Sequence, residues 1–183
     1  MADKKPKKGG ALRLILIVLL LLVVGVVGYG FTLSATPSFT ANTVIKADAD
    51  DIHEKVGDLK EWQNWGPWKD MDPGMTWSFT DKTNEVGSKM TFSGKDGTGW
   101  VELTKVDSKS GIHYKFQFES FTPMTGSITY AKVPEGTSVT WNTTSEDIGM
   151  KLHERYFMKF GADSMQDMFN KGLAKLKTQM EAN

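Results

Sequence analysis

The side chains suited to acid–base chemistry are His53, His113 and His153, Glu102, Glu119 and Glu146, and Arg155. A carboxyl buried in a pocket has its pKa raised and can then act as an acid. Nothing in the residue order places these groups inside a pocket, and surface or rim positions are the ordinary expectation for such residues. The histidine spacing fits no metal motif, no nearby acidic residue completes a triad, and His113 alternates onto the polar face of a strand. No metal or cofactor is expected. There is no G-x-S-x-G, no Walker-type loop and no G-x-G-x-x-G. The glycine-rich SGKDGTG of residues 93–99 joins two strands. A phosphate cradle would need it to open a helix, so it reads as a hairpin loop.

Apolar residues form the second candidate group. Trp62, Trp65 and Trp68 recur every three residues. Trp62 and Trp65 read as a packed helix-to-sheet corner, and Trp68, just past Gly66-Pro67, as a residue at a cavity mouth. An aromatic belt touching a bilayer is a third reading of the three. Met90, Phe92, Phe116, Phe118, Ile128, Trp141, Met165 and Phe169 make up the apolar face of the strands and of the last helix. Most of them are core by this reading. Any cavity must be lined from this set together with Trp68. The ten methionines suit an adaptable lining, and core filling explains them equally well.

These residues need elements to position them, and the chain has 183 residues for the purpose. That is room for a short anchor and one domain. The formal charge is zero but unevenly spread: residues 1–13 hold five basic residues and one acidic, and the remainder carries a net −4. A mildly acidic domain with scattered lysines carries no footprint for nucleic acid. The absence of cysteine excludes disulfides, thiol chemistry and a cysteine-linked lipid. It leaves the redox compartment open.

Residues 14–33 carry no charge, and 14–27 are almost entirely Leu, Ile and Val. Twenty residues at about 1.5 Å each span about 30 Å, the thickness of a bilayer core. The basic cluster before them stays in the cytoplasm by the positive-inside bias, so the domain after them lies outside it. Tyr29 and Phe31 fall at the outer interface. A cleaved signal peptide has the same charge order, but its apolar region is usually shorter, and the cleavage candidates near Ser34 and Ala35 are poor. A buried core helix is disfavoured because nothing in the run is polar enough to face solvent.

After a linker containing Pro37, residues 39–47 read as a strand. Asp48 then caps a helix from Ala49 that keeps Ile52, Val56 and Leu59 on one face. A short helical piece over 59–64 stops at Gly66-Pro67. Strands follow at 76–80, 89–93, 99–106, 112–119, 126–133 and 137–144. The clearest sets Ile112, Tyr114, Phe116 and Phe118 against His113, Lys115, Gln117 and Glu119, a period of two. Pro134-Glu135-Gly136 is a hairpin turn. Met165, Met168, Phe169, Leu173, Leu176 and Met180 mark one stripe of a closing helix. An antiparallel meander with one apolar face needs a cover, and only that helix can supply it. A sheet curling around a long helix leaves a gap between them, and such gaps hold apolar ligands.

This order, with the strings VIKADADDIHEKVGDLKEWQNWGPW, EVGSKMTFSG, GTSVTW and FNKGLAKLK, resembles the bacterial polyketide cyclase/dehydrase and lipid-transport family of the START-like helix-grip superfamily. WQNWGPW is the most specific string, and the resemblance covers about residues 38–181. It implies an α+β helix-grip fold, β-α-α-β6-α: a curved antiparallel sheet around a long C-terminal helix, here preceded by one transmembrane helix. The expected division is a basic tail 1–13, an anchor 14–33, a linker 34–37 and the domain 38–183. The superfamily holds carriers, cyclases and regulators on one scaffold, so function remains analogy. The leading expectation is a membrane-anchored module for a hydrophobic small molecule or lipid, its domain facing the periplasmic side of the inner membrane. A cyclase or dehydratase would instead need Glu102, Glu119, His113, Tyr114, Tyr130 or Arg155 to converge in the cavity. An interaction scaffold for an envelope protein partner would need a closed core and an exposed apolar patch.

Overall fold

The computed structural model describes residues 8–182; Lys4, Lys5 and Lys7 of the basic tail lie outside the described residues. The first element, α1 (Lys8–Thr32), is apolar on every side after Arg13. Its stretch Gly10–Thr32 is long and apolar enough to cross a membrane.

The domain follows as β1 (Ser38–Ile45), α2 (Ala49–Val56), α3 (Trp62–Trp65), α4 (Trp68–Met71), β2 (Thr76–Phe79), β3 (Lys89–Gly94), β4 (Gly97–Asp107), β5 (Gly111–Phe118), β6 (Met124–Val133), β7 (Gly136–Ser145) and α5 (Leu152–Glu181). The strands form one seven-stranded antiparallel sheet, ordered β1-β7-β6-β5-β4-β3-β2. The chain thus starts at one edge and crosses through α2, α3 and α4 to the other. It then returns strand by strand and lays α5 back over the starting edge. The fold is the expected α+β helix-grip arrangement.

The strands lie within two residues of the sequence-based bounds, and SGKDGTG is the β3–β4 hairpin. Three details differ. Asp48 occupies the N-cap of α2, but its side chain makes no capping bond. The helical piece over 59–64 forms only at Trp62–Trp65. Pro67, whose locked φ suits a helix start, opens α4 directly after ending α3. Finally, α5 begins at Leu152, well before the stripe from Met165. In its first turns Glu154 is buried while Phe157 and Phe160 are exposed, so the hydrophobic period is broken there.

Alternation puts Phe39, Met90, Val101, Leu103, Ile112, Tyr114, Ile128 and Trp141 on the inner face, where they are buried. Two short helices complete this core, with side chains of α3 satisfying the backbone at the end of α2. Trp62 Nε1 donates to Val56 O at 2.8 Å and Trp65 Nε1 to Lys55 O at 3.0 Å. Both acceptors are last-turn carbonyls of α2, which lack helical partners. Trp141 Nε1 donates to Tyr114 Oη at 2.7 Å, and Tyr114 Oη lies 2.6 Å from Thr143 Oγ1. Gly126 leaves room for the Tyr114 ring: a Cβ there would fall 2.1 Å from it. Across the sheet edge, α5 takes carbonyls that β1 leaves unpaired, through Gln166 to Thr40 O and Lys177 to Val44 O, both at 2.8 Å.

Glu154 ties the start of α5 to the β5–β6 turn. Its carboxylate accepts the Thr122 N–H at 2.9 Å and lies 3.1 Å from Lys151 Nζ. Burial pushes this carboxyl up, but the bonds from Thr122 and the Lys151 charge outweigh it, and the net shift is downward.

Two outcomes follow for stability. Tyr114→Phe leaves Trp141 Nε1 and Thr143 Oγ1 without their buried partner and should cost about 1–3 kcal/mol in urea unfolding, with the fold unchanged by circular dichroism. The folded Glu154 carboxyl titrates below the unfolded one, so its stabilisation is complete above the unfolded pKa and is lost as pH falls through the folded value. The stability gap between the wild type and Glu154→Gln should therefore be full near neutral pH and close as pH falls through the folded carboxyl's lowered pKa.

Candidate functional site

The inner face of the sheet divides into two halves that α5 treats differently. In the C-terminal half of α5, Gly172 sits against Trp141, where an added Cβ would fall 2.9 Å from the indole. One turn away the Phe169 ring stacks on Trp141, with centroids 4.4 Å apart and planes inclined by 7°. Trp62, Trp65 and Trp68 close around the same indole at 5.4–6.4 Å. This half is sealed.

Over the other half, α5 does not lie down. Its backbone packs along β1 and touches β7, α2 and α3. The inner residues of β2 to β5 at that end are aromatic and only half-buried. Phe92 stacks with Phe116 and with Phe118, at 6.1 and 6.4 Å and inclined by 10° in each case. Trp77 extends the row on β2, 5.9 Å from Phe92. Phe121, in the β5–β6 turn, continues it from Phe118 to Phe157 of α5, whose ring is 4.9 Å away. This aromatic ladder leaves the inner face of β2 to β5 half-buried at that end. On α5, Phe157, Gly161 and Met165 are spaced by four residues and share one stripe. A Cβ built on Gly161 meets nothing within 4 Å.

The residues expected to line a cavity therefore fall into two groups. Met90, Ile128, Trp141 and Phe169 are sealed in the core. Phe92, Phe116 and Phe118 are half-buried in the aromatic row, Met165 is half-buried on α5, and Trp68 is half-buried against Trp141. Trp77, Phe121, Phe157 and Gly161 join them without having been expected. Trp77 alternates with Phe79 beside Phe92, a signal present in the sequence but carried by only four residues. Phe121 lies in a turn, where no period operates.

Two polar atoms stand out in this apolar setting. Trp68 Nε1 and Trp77 Nε1 are buried and have no hydrogen-bond partner among the described residues. A buried unpaired N–H is costly, and such groups are uncommon.

The acid–base candidates do not converge there. Glu102 and His113 point to the outer face, Glu102 between Lys89 and Lys115 of the flanking strands. Glu119 is exposed at φ 49° and accepts the Thr98 N–H; Glu146 is exposed. Arg155 donates to the carbonyls of Gly149 and Leu33. Tyr114 faces inward, but its hydroxyl is engaged with Trp141 and Thr143, and burial pushes its pKa up to about 12. Tyr130, also pushed up by burial, lies 3.2 Å from His53 Nδ1. It borders a separate polar cleft of about 380 Å³ with Asp48 and Lys132. Burial lowers the pKa of His53. A further groove of about 390 Å³ runs between β1 and α5, past Asn42 and Lys177. Among the described residues no group of three or more His, Asp or Glu is placed to hold a metal.

Solved structures with this architecture include ginseng major latex-like protein 151 from Panax ginseng. It is 17% identical, with a TM-score of 0.55 over 80% of this chain and 99% of that one. An Arthrobacter aurescens protein is 15% identical, with a TM-score of 0.59 over 80% of this chain and 87% of its own. A Chromobacterium violaceum protein is also 15% identical, at a TM-score of 0.56 over 80% and 98%. At these identities the likeness is one of fold. No curated protein matches the chain. The model of the family described as "Polyketide cyclase / dehydrase and lipid transport" matches residues 36–181, well over half of the sequence. The chain belongs to that polyketide cyclase/dehydrase and lipid-transport family.

Proposed function

We propose that this protein is a membrane-anchored binder of a hydrophobic small molecule of the lipid class, held between the aromatic ladder and the Phe157–Gly161–Met165 stripe. The observation that carries the reading is the row of half-buried rings on β2 to β5 that α5 leaves uncovered. Leaving several rings partly in water forgoes burial worth about 25 cal/mol per Å² of apolar surface, which an apolar ligand would recover. Trp77 Nε1, buried and unpartnered on the ring beside Phe92, would donate to an oxygen acceptor on that ligand and set its orientation. The family description, which includes lipid transport, is consistent with this.

Residues 14–33 act as the anchor in this reading. The basic residues 4–13 hold the N-terminus in the cytoplasm and residues 38–183 form the extracytoplasmic domain. The cyclase or dehydratase alternative lacks a converging acid–base pair in the cleft among the described residues.

The test is lipid mass spectrometry on the full chain purified in detergent, with Gly161→Trp as the comparison. Gly161 abuts open space, so the indole should fill the cleft without disturbing the sealed half. One apolar species present at about one per chain in the wild type and lost in the variant supports the reading; identical lipid complements in both sink it. A second outcome separates binding from folding. Trp77→Phe removes a donor that bonds nothing among the described residues. Stability should hold within about 0.5 kcal/mol, while ligand affinity falls about tenfold.

A further inference from the structure

The first turns of α5 are fastened to the last turns of α1. Tyr156 Oη donates to Val26 O, and the Tyr156 ring lies 6.0 Å from that of Tyr29. Gly30 sits so close beneath Tyr156 and Leu152 that an added Cβ would fall 3.0 and 3.1 Å from them. The Arg155 guanidinium donates to Leu33 O at 2.9 Å and Phe31 O at 3.4 Å. Val26 is six residues before the end of α1 at Thr32, about 9 Å along the helix axis. Tyr156 therefore meets α1 inside its apolar run.

Around this junction the domain exposes large apolar side chains. Phe160 is 77% exposed and stacks on Tyr156, Met150 is 81% exposed and Phe157 is 54% exposed. On α1, Tyr29 and Phe31 are also exposed, Tyr29 against Tyr156 and Phe31 beneath Arg155. Lys151, Arg155 and Lys159 recur at four-residue steps on the same turns, cations that suit anionic headgroups; Asp147 and Asp163 are exposed at either end. Phe157 also ends the aromatic ladder, through Phe121. The exposed face is thus continuous with the aromatic ladder.

We propose that Met150, Tyr156, Phe157 and Phe160 form a membrane-inserting face that lays the domain against the bilayer α1 crosses, with the cleft opening into lipid. The inference rests on the anchor and cleft readings above. It adds that the ligand passes between bilayer and cleft without crossing water. The occupant of this face is a lipid surface, because the face continues an apolar helix of membrane-spanning length and has aromatic rings and cations at the depth where an interface would lie.

The chain has no cysteine, so single substitutions label it cleanly. Phe160→Cys, Met150→Cys and, as a distant control, Asp81→Cys would carry an environment-sensitive fluorophore on the full chain in anionic phosphatidylglycerol-containing vesicles. Labels at 160 and 150 should be quenched several-fold more by spin-labelled lipid than by aqueous iodide, and the label at 81 the reverse. A label at 160 that behaves like the one at 81, in chains resisting carbonate extraction, overturns the face while leaving the anchor standing. Chains released by carbonate overturn the anchor itself. Phe160→Asp gives a second reading: loading of ligand from vesicles should slow about tenfold while the amount bound at equilibrium is unchanged. Unaltered loading kinetics would count against the face even where Gly161→Trp has confirmed the cleft.

Discussion

The fold depends on one contact, the stacking of Phe169 on Trp141 at the point where Gly172 lets α5 reach the sheet. A long helix can sit on a curved sheet only where the side chains between them allow it. Here an absent side chain on the helix and a flat indole on β7 bring the two together. Trp62 and Trp65 are held around that indole because their own N–H groups are spent on the end of α2. The position of α2 and α3, the seal at this end and the direction in which α5 leaves it all follow from that contact.

The half-buried row is the other side of the same geometry. With α5 fixed along β1, the rings on β2 to β5 remain only half-buried. Glu154 holds the start of α5 by bonding the β5–β6 turn. The Arg155 and Tyr156 bonds to α1 add a second hold, on the side away from the sheet. The N-terminal end of α5 is therefore held by groups outside the aromatic row.

Much of this was legible in the sequence. Period-two alternation in residues 112–119 and 137–144 identified the inner rows of β5 and β7, and the stripe from Met165 identified the gripping half of α5. Alternation tells which face a residue takes but not what covers that face. Met90, Ile128, Trp141 and Phe169 therefore could not be told apart from Phe92, Phe116 and Phe118. Separating them requires the place where α5 departs from the sheet, a tertiary property set by Gly172 and Trp141 together. Phe121 lay in a turn, and Phe157 in helical turns whose inner position is a buried glutamate and whose outer positions are aromatic. Such turns oppose the pattern that marks a water-soluble helix. That inversion reflects the contacts with α1 and the β5–β6 turn, which no local window contains.

The separation of the sealed half from the open one bears on how such a protein can change over time. Residues far apart and without shared partners contribute to stability almost independently. Substitutions among Trp77, Phe92 and Phe118 can change the half-buried row while the Trp141 cluster continues to hold the fold. In this chain the one can drift while foldability is kept, because the two occupy different ends of one sheet face.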